Sequence, residues 1–231
     1  MSDSTKKEFL NFCESHDVIR FGDFTLKSGR KSSYFFNLGK LQSGAAWAKL
    51  GSFFADAIVQ SRITYDVLFG PAYKGIPIVF STAIALFEKH GIDAPVCFNR
   101  KEAKDHGEGG VLIGAPLKGR VLLVDDVITA GTAIYESAET IRRQGAALTG
   151  VLVALDREEE GSRSRLQASE EIAKELNVRV FSLARRSEFL TKAVQSQLGS
   201  LPQGIPGGTS CAVSSKPPPC PSLRSFREVS L

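Results

Sequence analysis

Short apolar runs alternate with longer segments of helical period along most of this 231-residue chain, and this alternation restricts the fold most. Several runs are apolar at every position, which indicates strands buried on both faces of a parallel sheet covered by helices. We therefore predict an α/β fold with a mostly parallel, twisted sheet flanked by helices, in which ligands bind beyond the carboxyl ends of the strands. The predicted strands are Val67 to Phe69, Val96 to Phe98, Val111 to Ile113, Val121 to Val124, Val151 to Leu155 and Val178 to Ser182. The predicted helices lie near Ser4 to Ser15, Ala45 to Gln60, Ile76 to Lys89, Ala133 to Gln144 and Gln167 to Leu176.

The end of the chain differs from the rest in charge and composition. Residues 185–231 carry six Lys or Arg and two Asp or Glu, whereas residues 1–184 carry 23 of each. From 202 to 222, 13 of 21 residues are Pro, Gly or Ser, a composition typical of disordered segments. We predict a globular domain over residues 1–184 and a divergent, largely disordered tail over residues 185–231.

Composition also excludes several classes of protein. Because the net charge of +4 comes from the tail, a basic nucleic-acid face is not predicted for the globular part. The start of the chain is charged where a signal peptide needs an apolar run, and we find no membrane-spanning segment. The four cysteines lack zinc-type spacing. We expect a cytoplasmic protein with reduced thiols and with neither nucleic acid nor membrane as a partner.

The segment VLLVDDVITAGTA carries the most chemical information. An apolar strand ends at Asp125 and Asp126, and small residues then lead through Gly131 into a helix. Backbone N–H groups at such a helix start bind anions, and glycine permits close approach of the anion. A phosphorylated sugar fits this pair of features, because its hydroxyls can donate to the acids while its phosphate lies in the turn. A plain helix N-cap explains one aspartate, but explains two followed by T-A-G-T poorly.

Two further segments place cations near the same sheet edge. GPAYKG, after the strand at Val67, displays Tyr73 and Lys74 in a tight turn. The stretch NRKEAKDHGEGG, residues 99–110, combines cations with glycines, and we call it the lid. A charged surface loop is the alternative interpretation of these residues. As a lid, it would close over a phosphate-rich substrate and stabilise a departing anion. Its cationic or proton-donating residues are Arg100, Lys101, Lys104 and His106.

A flat, acidic acceptor is suggested by two other places. Phe35 and Phe36 are adjacent, so in a strand one of them faces the core while the other can cover a heterocycle. Arg157 follows the strand Val151 to Leu155, and its guanidinium can bind a carboxylate through two hydrogen bonds. An exposed surface arginine explains the pattern equally well, so the residues alone leave both interpretations open.

The chain resembles the bacterial-type orotate phosphoribosyltransferases, a branch of the type I phosphoribosyltransferases. Four motifs carry the resemblance, and they have the order and spacing of that family. They are K-S-G-R-K-S-x-Y-F-x-N, G-P-A-Y-K-G-I-P, N-R-K-E-x-K-D-H-G-E-G-G and D-D-V-I-T-A-G-T-A. The resemblance covers about Lys7 to Leu183 and implies the type I fold with a small hood from the N-terminal region.

The family implies a role for each matching residue. Phosphoribosyl pyrophosphate, the donor, would contact Lys27, Tyr73, Lys74, Arg100, Lys101, Lys104, His106, Asp125, Asp126, Val127, Ile128, Thr129, Ala130, Gly131, Thr132 and Ala133. Orotate would contact Phe35, Phe36, Thr129 and Arg157. Catalysis would depend on Lys104, His106, Asp125 and Asp126. The resemblance also implies Mg²⁺ bound mainly through the donor, and a homodimer whose lid reaches into the partner's site.

Alternatives remain for both the acceptor and the tail. A purine or other base phosphoribosyltransferase would keep the acid pair and the turn, and a regulator could use the same fold without catalysis. Lys104 and His106 favour an enzyme, since a sensor has no leaving group to stabilise. Beyond Leu183 the resemblance fades into a possible short helix and then the tail. A frameshift or unspliced boundary and a natural, dispensable extension are two hypotheses for this departure.

Overall fold

The computed structural model describes residues 3–25, 31–104 and 110–199, and the fold within these ranges is α/β. The helices are α1 (Asp3–Ser15), α2 (Gly44–Ser61), α3 (Gly75–His90), α4 (Thr132–Arg143), α5 (Ala168–Leu176) and α6 (Arg186–Gly199), with a 3₁₀ turn at Leu38–Lys40. The strands are β1 (Ile19–Thr25), β2 (Lys31–Phe36), β3 (Val67–Gly70), β4 (Val96–Lys104), β5 (Gly110–Gly114), β6 (Arg120–Ile128), β7 (Ala147–Asp156) and β8 (Arg179–Arg185). The predicted tail from residue 200 onward lies outside the described residues.

The main sheet has six strands in the order β5-β4-β3-β6-β7-β8. β5 pairs antiparallel with β4 at one edge, and the other four pairings, including that of β8 at the opposite edge, are parallel. The predicted mostly parallel sheet is therefore confirmed. Because β6 lies between β3 and β7, residues that follow β3, β6 and β7 meet at one edge of the sheet.

Helices cover both faces of this sheet, as continuous apolarity predicts. Leu122 and Val124 of β6 face one core with α1, α2 and α3, whereas Val121 and Leu123 face a second core with α4 and α5. Successive side chains of the strand thus point alternately into two apolar layers, and all four are inaccessible to solvent. A strand in this position needs apolar residues throughout, which explains the VLLV run.

The predicted hood is a separate two-stranded antiparallel sheet, β1–β2. These strands were not among the predicted ones, because they mix polar and apolar residues and only one face of β2 is buried. Tyr34 and Phe36 point into the core, and Ser32, two residues before Tyr34 on the strand, is half-buried. The hood contacts the main sheet's carboxyl edge, where the Arg157 side chain meets Tyr34.

Two predicted strand ends are wrong. The strand predicted from Val121 ends at Val124, whereas β6 continues to Ile128, because β7 pairs with it as far as Asp156. The acid pair is therefore inside a strand and not beyond its end. The predicted strand from Val96 ends at Phe98, whereas β4 continues to Lys104, which pairs with Gly110 of β5. Residues 99–104 of the lid consequently belong to strand β4, and its last residue, Gly110, begins the antiparallel partner β5.

Candidate active site

The acid pair is buried on an inner strand, near the carboxyl end of the sheet. Asp125 and Asp126 are 8% and 7% exposed, on the central strand β6. Asp125 accepts a hydrogen bond from the backbone N–H of Asp126 at 2.8 Å, and Asp126 accepts one from the N–H of Val127 at 2.9 Å. Each carboxylate thus bonds to the next peptide group, which orients both side chains along the strand.

Burial and mutual repulsion set the charge of this pair. Burial, followed by the neighbouring carboxylate of Asp126, raises the pKa of Asp125 to about 7. Lys74 opposes this, since its Nζ lies 2.7 Å from Asp126 Oδ2. The pair therefore holds less than two negative charges at neutral pH until another cation or hydrogen-bond donor approaches.

The small-residue turn lies directly beyond the acids. Gly131 has φ +86°, which a side chain would strain, and it precedes α4 as the N-cap residue. Its carbonyl accepts from the N–H groups of Ile134 and Tyr135, at 3.0 and 3.1 Å. The first N–H groups of a helix have no acceptor within the helix, so the turn presents them outward. The turn and the acids line one cavity of about 310 Å³, formed by Asp125, Asp126, Val127, Thr129, Ala130, Gly131, Thr132, Ala133 and Ile134.

The lysine turn reaches this cavity from the neighbouring strand. β3 ends at Gly70, and the following turn is held by a hydrogen bond from Ala72 N–H to Asn99 Oδ1 of β4, at 2.8 Å. Lys74 ends this turn and bonds to Asp126, although 52 residues separate them in the chain. Tyr73 is 64% exposed. The structure therefore brings together Lys74 and the acid pair, as strand adjacency predicts.

The lid is only partly described. Arg100 lies half-buried on β4, and Lys101 and Lys104 continue that strand. The side chains of Lys101 and Lys104 lie outside the described residues, as do His106 of the lid and Lys27 near the hood. Their predicted donor contacts stay predictions.

The proposed acceptor residues differ strongly in exposure. Phe36 is in the core, with its ring 6.3 Å from that of Phe189, whereas Phe35 is 37% exposed and lies 5.8 Å from Phe24. The prediction that one of the two phenylalanines is a core residue is confirmed. Phe35 is the one whose ring can cover a flat ligand.

Arg157 is not an exposed surface residue. Its side chain is 14% exposed, and its Nε donates to Tyr34 Oη at 3.0 Å and lies 3.1 Å from Glu159 Oε1. The N–H of Arg157 donates to the carbonyl of Ile128, which places it beside Thr129. The guanidinium is therefore anchored through Nε at the edge where the small-residue turn begins.

Sequence reasoning missed Tyr34, Glu159 and Glu171, which support the predicted site residues. Tyr34 had a usable signal, since it alternates with the buried Phe36. Glu159 and Glu171 had none, because isolated acids in polar segments resemble solvated surface.

Among the described residues, no group of three or more His, Cys, Asp or Glu could hold a metal ion. No described helix has the length and apolarity needed to cross a membrane.

Comparison with known proteins agrees with this geometry. Residues 38–184 match the phosphoribosyl transferase domain model. The chain is 58% identical over 187 residues to orotate phosphoribosyltransferase of Shigella flexneri, covering 81% of this chain and 87% of that protein. It superposes on the crystal structure of orotate phosphoribosyltransferase from Francisella tularensis with a TM-score of 0.72 and 40% identity, covering 81% and 90% of the two chains.

A more distant structure shares the fold. Mycobacterium tuberculosis orotate phosphoribosyltransferase, solved in complex with 5-phospho-alpha-D-ribosyl 1-diphosphate, superposes with a TM-score of 0.61 and 21% identity. The superposition covers 80% of this chain and 98% of the other.

Proposed function

Because the chain belongs to the orotate phosphoribosyltransferase family, we propose that it transfers the phosphoribosyl group of phosphoribosyl pyrophosphate to orotate. The products are orotidine monophosphate and pyrophosphate, and the reaction is a step of de novo pyrimidine (UMP) biosynthesis. One observation carries the proposal most directly: the buried acid pair, the anion-binding turn and Lys74 line or border a single cavity. A phosphorylated sugar that carries a second anionic group matches this set of partners.

The turn and the acid pair hold opposite ends of the ribose in this proposal. Thr129 to Ala133 receive the 5′-phosphate on backbone N–H groups and hydroxyls at the start of α4. Asp125 and Asp126 accept hydrogen bonds from the ribose hydroxyls. The sugar is then fixed at both ends, so that its C1 lies toward the acceptor.

Departure of pyrophosphate is the step that cations assist. A bond forms between a ring nitrogen of orotate and C1 of the ribose as the C1–O bond to pyrophosphate breaks, and the proton of that nitrogen passes to the pyrophosphate or to solvent. Lys74, Arg100 and the lid residues Lys101, Lys104 and His106 stabilise the negative charge that builds on the leaving group. His106 also donates a proton or hydrogen bond to it.

Mg²⁺ completes the donor site. The carboxylates of Asp125 and Asp126 are oxygen ligands of the kind that Mg²⁺ prefers, and the cation also suits the charge that their burial makes costly. We propose that it is carried mainly by the pyrophosphate and the ribose hydroxyls of the donor, with the acid pair beside it. When bound, the ion neutralises charge on the leaving group.

The acceptor site contains Phe35, Phe36, Thr129 and Arg157. Phe35 covers the flat pyrimidine, and Phe36, which faces the core on the other side of β2, holds that strand in place. The outer nitrogens of Arg157 bind the carboxylate of orotate, while its Nε keeps the contacts with Tyr34 and Glu159. This acid-binding arginine favours orotate over a purine, which has no carboxylate.

The proposed homodimer has a suitable surface on α3. Phe80, Ile84 and Phe87 are 43%, 56% and 62% exposed, and their spacing puts them on one face of the helix. The Phe80 ring contacts Phe98 of β4, the strand that continues into the lid. A second copy on this face would therefore lie close to the lid, as sharing of lid residues requires. Sedimentation of the wild type and of I84E measures the expected change from dimer to monomer.

The cytoplasmic location belongs to the same proposal, and so does the division of the chain into a domain, residues 1–184, and a tail whose first helix, α6, packs on that domain. α6 continues directly from β8, and its Phe189 is 1% exposed, so the first part of the predicted tail packs on the fold. The buried free thiols of Cys13 and Cys97 suit a reducing compartment. Truncation before Pro202 is expected to keep full activity.

An orotate assay tests the proposed function. Loss of orotate absorbance on addition of donor and Mg²⁺ is expected, with much slower loss without Mg²⁺ and no turnover of purine controls. Turnover of a purine but not of orotate would favour another base phosphoribosyltransferase. Binding of the donor without turnover of any base would favour a regulator.

The lid has its own test. In K104A we expect turnover to fall steeply while donor binding survives, since the lysine acts on the leaving group. Unchanged turnover would refute the role of the lid.

A further inference from the structure

The segment between β7 and α5 lies against the donor turn, and we call residues 157–167 the β7–α5 loop. The N–H of Ser162 donates to the carbonyl of Ala130, in the middle of the turn, at 3.0 Å. Glu160 and Gln167 pair across the loop, which closes it on itself. The loop thus supports the turn through a backbone hydrogen bond at its centre.

A buried carboxylate holds this loop in place. Glu171, in the first turn of α5, is 1% exposed. It accepts hydrogen bonds from Ser164 Oγ at 2.7 Å and from the backbone N–H of Arg163, whose distances to the two carboxylate oxygens are 3.3 and 3.1 Å. The hydrogen bond from Ser164, with those from Tyr135 and the backbone, lowers the pKa of Glu171 although burial opposes this. The carboxylate therefore stays ionised at neutral pH.

The same carboxylate holds the helix that begins at the turn. Tyr135 Oη donates to Glu171 Oε1 at 3.1 Å, and the N–H of Tyr135 donates to the carbonyl of Gly131. The Arg163 guanidinium lies 3.6 Å from the centre of the Tyr135 ring and pairs with Glu175. Glu171 thus joins the two backbone segments that contact the turn, the β7–α5 loop and the first residues of α4.

We propose that Glu171 is a positioning residue for the 5′-phosphate of the donor, acting through Tyr135 and the β7–α5 loop. The inference rests on the proposed function for the identity of the donor. A phosphate bound by backbone N–H groups depends on their direction, and an angular error in the turn weakens each hydrogen bond. Glutamine in place of Glu171 has one acceptor oxygen, and its amide would face groups that donate, so at least one of them would lose its partner.

Two inhibitors separate the phosphate end of the donor from its pyrophosphate end. Ribose 5-phosphate probes the turn, and pyrophosphate probes the cations on the other side of the cavity. In E171Q we expect the dissociation constant of ribose 5-phosphate to rise about tenfold, the effect of one lost charge-assisted hydrogen bond. The dissociation constant of pyrophosphate and the KM for orotate should stay within about twofold of the wild type.

Two further variants make the test specific. E170Q changes the neighbouring acid on the same helix turn, which is exposed, and should leave both constants unchanged. Y135F keeps the ring and the carboxylate but removes one hydrogen bond, and should raise the ribose 5-phosphate constant about threefold. If E171Q does not fold, the comparison of Y135F with E170Q decides the question.

Calorimetry of the ligand-free enzyme with each probe keeps this inference separate from the proposed function. Weaker ribose 5-phosphate binding alone supports the positioning role, even if the wild type turns over no orotate. The inference is overturned if both constants rise together, as general destabilisation predicts, or if neither changes in a folded variant. Absence of orotate turnover in the wild type overturns the proposed function only.

Discussion

The small-residue turn and the acid pair are neighbours in the chain, but their surroundings act differently on them. The surroundings of the turn hold it in place, whereas those of the acid pair disfavour the charge of Asp125. The turn, from Thr129 to Ala133, is supported by a hydrogen bond from the β7–α5 loop and by the start of α4. Asp125 and Asp126 lie side by side with little exposure, and Lys74 is the cation that pairs with them among the described residues.

The difference shows two ways of preparing a site for a ligand. The turn is held by protein hydrogen bonds in the absence of ligand, so the phosphate that we propose there would meet hydrogen-bond donors that are already oriented. The charged form of Asp125 is unfavourable before the ligand arrives, because burial and the neighbouring carboxylate of Asp126 raise its pKa. Binding of a diol or a cation relieves that repulsion. A substitution in the turn should therefore lower both activity and stability, whereas removal of a charge from the acid pair should lower activity and raise stability.

The largest expected effect is that of D125N. Asparagine keeps an oxygen that can accept from the Asp126 N–H but carries no charge to hold the ribose or Mg²⁺. We expect kcat/KM for the donor to fall about 100-fold. The free energy of unfolding of the ligand-free protein at pH 8 should rise by about 1–2 kcal/mol, because repulsion is removed. Steady-state kinetics and denaturant unfolding measure the two changes, and a variant that loses both activity and stability would contradict the comparison.

At the turn, G131A should lower both quantities. The residue has φ +86°, where alanine is strained, and its Cβ would lie 2.9 Å from Ile172 Cδ1. We expect the KM for the donor to rise about 30-fold and stability to fall by about 1–2 kcal/mol. Gly145 provides a matched control, since it has φ +75° and open space around it. G145A should lose similar stability with an unchanged KM.

A substitution on the acceptor side should change orotate binding without changing donor binding. R157K retains a cation but cannot keep the Nε contacts with Tyr34 and Glu159 while binding a carboxylate through two nitrogens. We expect the KM for orotate to rise about tenfold, with donor binding unchanged. R120K is the control, because Arg120 also pairs with a carboxylate, that of Asp66, but at an exposed site. An equal effect of both variants on orotate would rule out a specific role for Arg157.

The smallest effect is a dependence of donor binding on pH. With the pKa of Asp125 at about 7, the free protein carries a proton there below neutrality, and Mg²⁺ and donor favour the ionised form. Donor affinity should therefore rise as the pH increases from 6 to 7, by about threefold. Without ligand the sign is opposite, since a raised pKa makes the folded state bind more protons and its stability falls as pH rises toward 7. Titrations of wild type and D125N in parallel isolate this group, and an identical pH dependence would assign it elsewhere.

Local patterns predicted most of the elements and the donor turn. The strand Val121 to Val124 and the helix after Gly131 were predicted because apolar period and small-residue turns are properties of adjacent residues. The ends of β4 and β6 were not, because each strand continues only while a neighbour in the sheet pairs with it. The hood strands were also not predicted. Their polar and apolar residues alternate only weakly, and the sequence does not show the surface on which β2 packs.

By itself, the sequence determined an α/β fold and the strand–turn–helix unit at Asp125 to Ala133, where we propose a sugar-phosphate site, because both depend on the pattern of adjacent residues. The tertiary structure decided which distant groups complete that site. Lys74 meets Asp126, Glu171 meets Tyr135 and Arg157 meets Tyr34 across 52, 36 and 123 residues of chain. Such contacts depend on the strand order and register of the whole sheet, and no local period encodes them.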